Sequence, residues 1–128
     1  MFTNCLSYQK GVFTSVYQRS WTHNANDIMK KVKITAIRKV QYDDLMAKYE
    51  NPIEHTCDVC EGQSWISNDG QCPEGLCPEA WKTKKEFVEA LACGEGNFYD
   101  GWMKNPYSAM ISCNDGFRPV SFYIETMG

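Results

Sequence analysis

CPEAWKTKKEFVEALACG, residues 77–94, is the segment with the clearest period in the chain. Pro78 suits a first helical position, because its missing N–H would go unpaired there anyway. Gly94 stands where a helix closes. Between them Ala80, Trp81, Phe87, Val88 and Leu91 trace one apolar stripe, with Lys82, Lys85, Glu86 and Glu89 off it. The segment predicts one amphipathic helix from Pro78 to Cys93, which must lay its stripe on another element.

The flanking sequence supplies that element as strands. Val32, Ile34 and Ala36 alternate with Lys33, Thr35 and Ile37, the period-two pattern of a half-buried strand. A short strand is expected over Gln63 to Ser67, closed by the turn Asn68-Asp69-Gly70. At the C-terminus, Met110 to Cys113 runs into Asn114-Asp115-Gly116, and Val120, Phe122 and Ile124 then alternate with Ser121, Tyr123 and Glu125. A three-residue connection with Gly last predicts a hairpin with a bulge. Pro119 cannot donate to a sheet ladder, so the last strand is expected to begin at an edge or bulge. Asp43 and Asp44 favour the start of a short helix over Tyr42 to Tyr49, which Asn51-Pro52 ends. The fold class is therefore α+β: a small, mostly antiparallel sheet with one main helix packed on it and a second short helix.

A chain of 128 residues with 43% hydrophobic and 23% charged residues has the make-up of one globular domain. A net charge of −3 lacks the basic excess of a nucleic-acid binder. No apolar run approaches a membrane span, and the first residues do not have the form of a secretory signal. These features predict a cytoplasmic protein with neither nucleic-acid nor membrane partners. Residues 1–28 are rich in Ser, Thr, Asn and Gln and have no clean period. They are expected to be an N-terminal extension upstream of a domain spanning 29–128. The alternative is an arm that packs through Phe13, Tyr17 and Trp21.

Seven cysteines are many for this length, and in a reducing compartment they point to metal, catalysis or burial. Cys57-Asp-Val-Cys60 has the C-x2-C spacing of a tetrahedral thiolate site, and Cys72 to Cys77 adds a looser C-x4-C. Cys77 also precedes Pro78, at the N-cap of the main helix, where the helix dipole stabilises a thiolate. It is the candidate catalytic thiol. Cys93, at the opposite end, reads as core. Arg118 lies close to Cys113 in sequence and is a candidate anion anchor, next to the plainer reading of a surface charge. Asp115 reads as a turn residue. Trp81 and Trp102 read as core or as walls of a ligand pocket.

The blocks MKKVKITAIRK (29–39), CDVCEGQ (57–63), PEGLC (73–77), AW (80–81), ALACG (90–94), DGWM (100–103) and CNDGFRPVSFYIE (113–125) resemble a family of small uncharacterised cysteine-containing proteins common in anaerobic bacteria and archaea. The resemblance spans nearly all of residues 29–128. It implies a start at Met29. It also implies a thiol set of Cys57, Cys77 and Cys113, since Cys60 and Cys72 are not regular in the family pattern. Three thiolates with an open fourth position suit zinc, iron or an iron–sulfur cluster, completed by His55, Cys60, Cys72 or an outside ligand.

Three functions follow from these residues. The leading expectation is a cysteine-thiolate metal or iron–sulfur redox module, working with a partner enzyme or a small anionic ligand. The second is an enzyme that uses Cys77 as nucleophile or redox thiol, with His55 the only histidine of residues 29–128 available as its base. The third is an accessory binding domain with structural, buried cysteines. No phosphate-binding glycine loop and no nucleophile-elbow motif is present.

Overall fold

The computed structural model describes residues 29–54 and 57–127. The expectations for residues 1–28 and for His55 lie outside them. The element order is β1 (Val32–Lys39), α1 (Asp43–Tyr49), β2 (Ser64–Ser67), α2 (Pro78–Ala92), β3 (Ser108–Ser112) and β4 (Val120–Thr126). The four strands form one sheet in the order β2-β1-β4-β3, and every pairing is antiparallel. This is the α+β architecture that the alternating strands and the single long amphipathic helix specify.

Alternation decides which face of the sheet is core. Val32, Ile34 and Ala36 of β1 and Val120, Phe122 and Ile124 of β4 are buried. Register places Ile34 opposite both Ile124 and Trp65, and Ile124 opposite Ala109. Helix α2 covers this face through Ala80, Val88, Leu91 and Ala92. Each large aliphatic side chain sealed there contributes on the order of 1.5–3 kcal/mol relative to exposure. On the other face, Met110 and Ile66 are exposed.

Helix α2 begins and ends as the sequence indicates. Cys77 is its N-cap, with Pro78 at the first helical position. At the other end Gly94 takes φ +87°, which an L side chain rarely adopts. Its N–H donates to the Leu91 carbonyl and that of Glu95 to Ala90, the paired bonds of a Schellman motif. Cys93 at the C-cap is half-buried rather than core, and is not a free thiol.

The C-terminal hairpin differs from expectation. β3 starts at Ser108, two residues earlier than Met110, and the connection runs from Cys113 to Pro119 rather than over three residues. The reason is Asp115. Its Oδ1 accepts the N–H groups of Phe117 (2.8 Å) and Arg118 (3.1 Å), which gives the backbone a wider turn. Pro119 precedes β4, and β4 is an interior strand, not an edge. The carbonyls of Phe117 and Pro119 accept the N–H groups of Tyr42 and Val40, which tether the connection to the chain beyond β1.

Candidate functional site

Three segments meet beside the N-terminus of α2 and enclose a cavity of about 340 Å³. The loop before β2 contributes Cys57 and Val59, the start of α2 contributes Cys77, Glu79 and Ala80, and the β3–β4 connection contributes Cys113, Asn114, Asp115 and Arg118. Val120 and Phe122 of β4 complete the wall. Cysteines 57, 77 and 113, widely separated in the chain, thus face one space.

Each is placed by a separate local device. A register shift between Ala36 and Arg38 interrupts the β1–β4 ladder. Beyond it the Lys39 ammonium donates to the carbonyls of Cys57 (2.9 Å) and Val59 (3.1 Å), and the Lys39 N–H donates to Glu61. These bonds pin the loop that carries Cys57. Cys77 is held by the helix start. Its side chain makes no capping hydrogen bond, and it is exposed. Cys113 is half-buried against the core. Its N–H donates to the Val120 carbonyl at 3.1 Å, and its Sγ accepts the Val120 N–H at 3.4 Å.

Behind the cavity lies a residue that the apolar stripe does not predict. Lys84 is 0% exposed, among the largest fully buried side chains of the domain. Its Nζ donates to the Ala80 carbonyl (2.6 Å) and to Thr83 Oγ1 (3.3 Å), and lies 3.6 Å from the centre of the Phe122 ring. Ala80 and Phe122 are both cavity walls. Burial pushes the Lys84 ammonium down from 10.5 to about 8, against the opposing pull of Cys113 and, more weakly, Cys77. A buried cation therefore stands close enough to two cavity thiols to feel the charge of each. One signal for it was present. Lys84 is four residues from Ala80 and four from Val88, on the stripe itself.

The remaining candidates are arranged as follows. Cys60 and Cys72 are exposed and do not line the cavity, and Cys72 borders neighbouring grooves. Cys60 Sγ donates to the Asp58 carbonyl at 3.7 Å, and Cys72 Sγ to that of Pro73 at 3.6 Å. Burial, with the nearby charge of Cys77, pushes the Cys72 thiol up. Among the described residues no three His, Cys, Asp or Glu side chains are grouped as ligands for one metal ion. Arg118 forms a forked pair with Glu50 at the end of α1, at 2.9 and 2.7 Å. This hydrogen bond raises its pKa further, so its guanidinium is committed to a carboxylate. Trp81 does not line the thiol cavity. It borders a groove with Gly70, Gln71 and Glu89. Trp102 is 43% exposed and stacks edge-on with Tyr99 at 5.3 Å. Arg118, Trp81 and Trp102 are therefore not brought together. No helix among the described residues is long and apolar enough to cross a membrane.

In comparisons with known proteins, the chain matches no family model, no curated protein and no solved structure.

Proposed function

We propose that the cavity is a reactive-thiol site, in which Cys77 and Cys113 act over the buried ammonium of Lys84 on a small ligand. The observation that carries this reading is Lys84. Removing an ammonium from water is costly unless charge or hydrogen bonds compensate it. Here compensation comes partly from the two sulfurs that border the cavity. A buried ammonium against the cavity wall gives this space a fixed positive charge. Lys84 thus supplies the charged partner that a Cys–His arrangement would otherwise need. The walls suit a ligand with an apolar body: Val59, Ala80, Val120 and Phe122 are buried hydrophobes. Glu79, Asn114 and Asp115 supply polar contacts at the margin, and the volume lies at the lower end of small-molecule sites.

The test is site-resolved alkylation with iodoacetamide near neutral pH, read by peptide mass spectrometry. Cys77 and Cys113 should label about tenfold more slowly in Lys84→Met than in wild type. Cys60, which does not line the cavity, serves as the internal reference and should not change. Equal slowing at all three, or none, contradicts the reading.

A second reading is favoured by one observation: Cys57, Cys77 and Cys113 line the same cavity. Under it they hold zinc or an iron–sulfur cluster, which requires their sulfurs to close to roughly 3.5–4 Å of one another. Protein purified without oxygen would then carry stoichiometric metal, lost on replacing any one of the three. Metal-free protein with intact alkylation kinetics contradicts that reading.

A further inference from the structure

We propose that Cys77 and Cys113 are an exchange pair that reduces small organic disulfides, with Cys77 attacking and Cys113 resolving. The inference rests on the reactive-thiol reading and names its substrate class and the role of each sulfur. Both cysteines line one cavity, yet their surroundings differ in a way that divides the labour. Cys77 is exposed, at a helix start, with a sulfur free of capping bonds. An external disulfide can approach it. Cys113 is half-buried, and the Val120 N–H points at its sulfur. It is poorly placed for an external substrate and well placed for a sulfur already inside the cavity. Asp115 and the Phe117 and Pro119 carbonyl contacts fix the connection that carries Cys113, so its position is set by the fold.

The chemistry balances in two exchanges. The Cys77 thiolate attacks one sulfur of R–S–S–R, forming the mixed disulfide Cys77–S–S–R and releasing one RS⁻. The Cys113 thiolate then attacks the Cys77 sulfur, forming the Cys77–Cys113 disulfide and releasing the second RS⁻. The substrate gains two electrons and the protein loses two. The protons of the two thiols end on the released thiolates. An external dithiol would restore the reduced pair by the reverse exchanges. Cys57 shares this cavity and a neighbouring groove with Cys77. Cys57 is exposed, whereas Cys113 is half-buried with its sulfur met by the Val120 N–H. This contrast assigns the resolving role to Cys113.

The experiment treats reduced full-length protein with 2-hydroxyethyl disulfide, then traps free thiols and maps the peptides without reduction. Wild type should yield a Cys77–Cys113 linked peptide, recorded as a mass loss of about 2 Da without an adduct on either sulfur. Cys113→Ala should instead hold a stable mercaptoethanol adduct on Cys77. Cys77→Ser should leave Cys113 modified about tenfold more slowly than Cys77 is in wild type. A stable adduct on Cys77 in the wild type, or a link from Cys77 to Cys57 or Cys72, overturns the pair while leaving a reactive Cys77 intact. Modification of Cys77 no faster than of Cys60 overturns the reactive-thiol reading as well. The wild-type map alone decides between these results, so neither depends on a variant that folds.

Discussion

Helix α2 buries two charged side chains, Lys84 and Glu89, and they stand in opposite circumstances. Lys84 is enclosed with partners: a carbonyl, a hydroxyl, an aromatic face and two sulfurs nearby. Glu89 is 5% exposed, but its Oε1 has no hydrogen-bond partner, and its stem packs by Gly70. Burial pushes the Glu89 carboxyl up from 4.5 to about 7. The middle of the helix therefore holds a charge that the fold compensates. Five residues further on, the helix holds a carboxyl that the fold tends to neutralise. Burial alone does not identify a functional group, and the identity of the compensating partners does. Lys84 is compensated by side chains that face a cavity, which is why the site is placed there.

The sharpest way to break this contrast is to remove the lysine and its stem separately. Lys84→Ala deletes three methylenes and the ammonium from the core and should cost about 2–4 kcal/mol in urea unfolding. Lys84→Met keeps most of that packing and removes the buried charge, so at pH 7 it should match or exceed wild-type stability. Equal large losses in both would mean that the charge, not the stem, holds this part of the fold together.

Glu89 gives a smaller effect with a distinct pH signature. Its folded-state pKa is raised, so the folded protein binds more protons than the unfolded chain between about pH 4.5 and 7. The stability that the protonated carboxyl contributes is fully present below 4.5 and is lost as pH rises through 7. A shift of this size corresponds to at most on the order of 3 kcal/mol. Glu89→Gln should therefore be the more stable protein at pH 8, by up to that amount. The difference should vanish near pH 4. A constant difference across that range would show that the carboxyl does not titrate with folding.

Much of the fold was legible because its signals are local. The alternation of Val32, Ile34 and Ala36, and of Val120, Phe122 and Ile124, needs only a period of two. Pro78 and Gly94 mark the helix ends by their own backbone preferences. The strand order β2-β1-β4-β3 was not legible, since it depends on pairings between distant segments. The width of the last connection was missed for a related reason. Asn-Asp-Gly predicts a tight turn, but the Asp115 carboxylate takes two N–H groups and opens it.

The candidate site was half legible. Cys57, Cys77 and Cys113 were singled out, and all three line the cavity. Lys84 was not, because a lysine on a helix is ordinarily a solvent-facing residue even where it falls in the apolar row. Glu89 was placed off the stripe, yet the loop at Gly70 covers it. Arg118 offered itself as an anion anchor, but Glu50, 68 residues earlier, takes its guanidinium. Of these three outcomes only the burial of Lys84 has a signal within a few residues, its place in one row with Ala80 and Val88.

The most direct measurement is the titration of Lys84 by carbon-detected NMR of its ε-methylene, in wild type and in Cys113→Ser and Cys77→Ser. The account predicts a pKa near 8 in wild type. Removing either sulfur takes away a charge that favours the ammonium, so the value should fall further, and more in Cys113→Ser than in Cys77→Ser. A Lys84 that titrates near 10.5 and ignores both substitutions would contradict the juxtaposition of a buried ammonium with two thiols on which the proposed site rests.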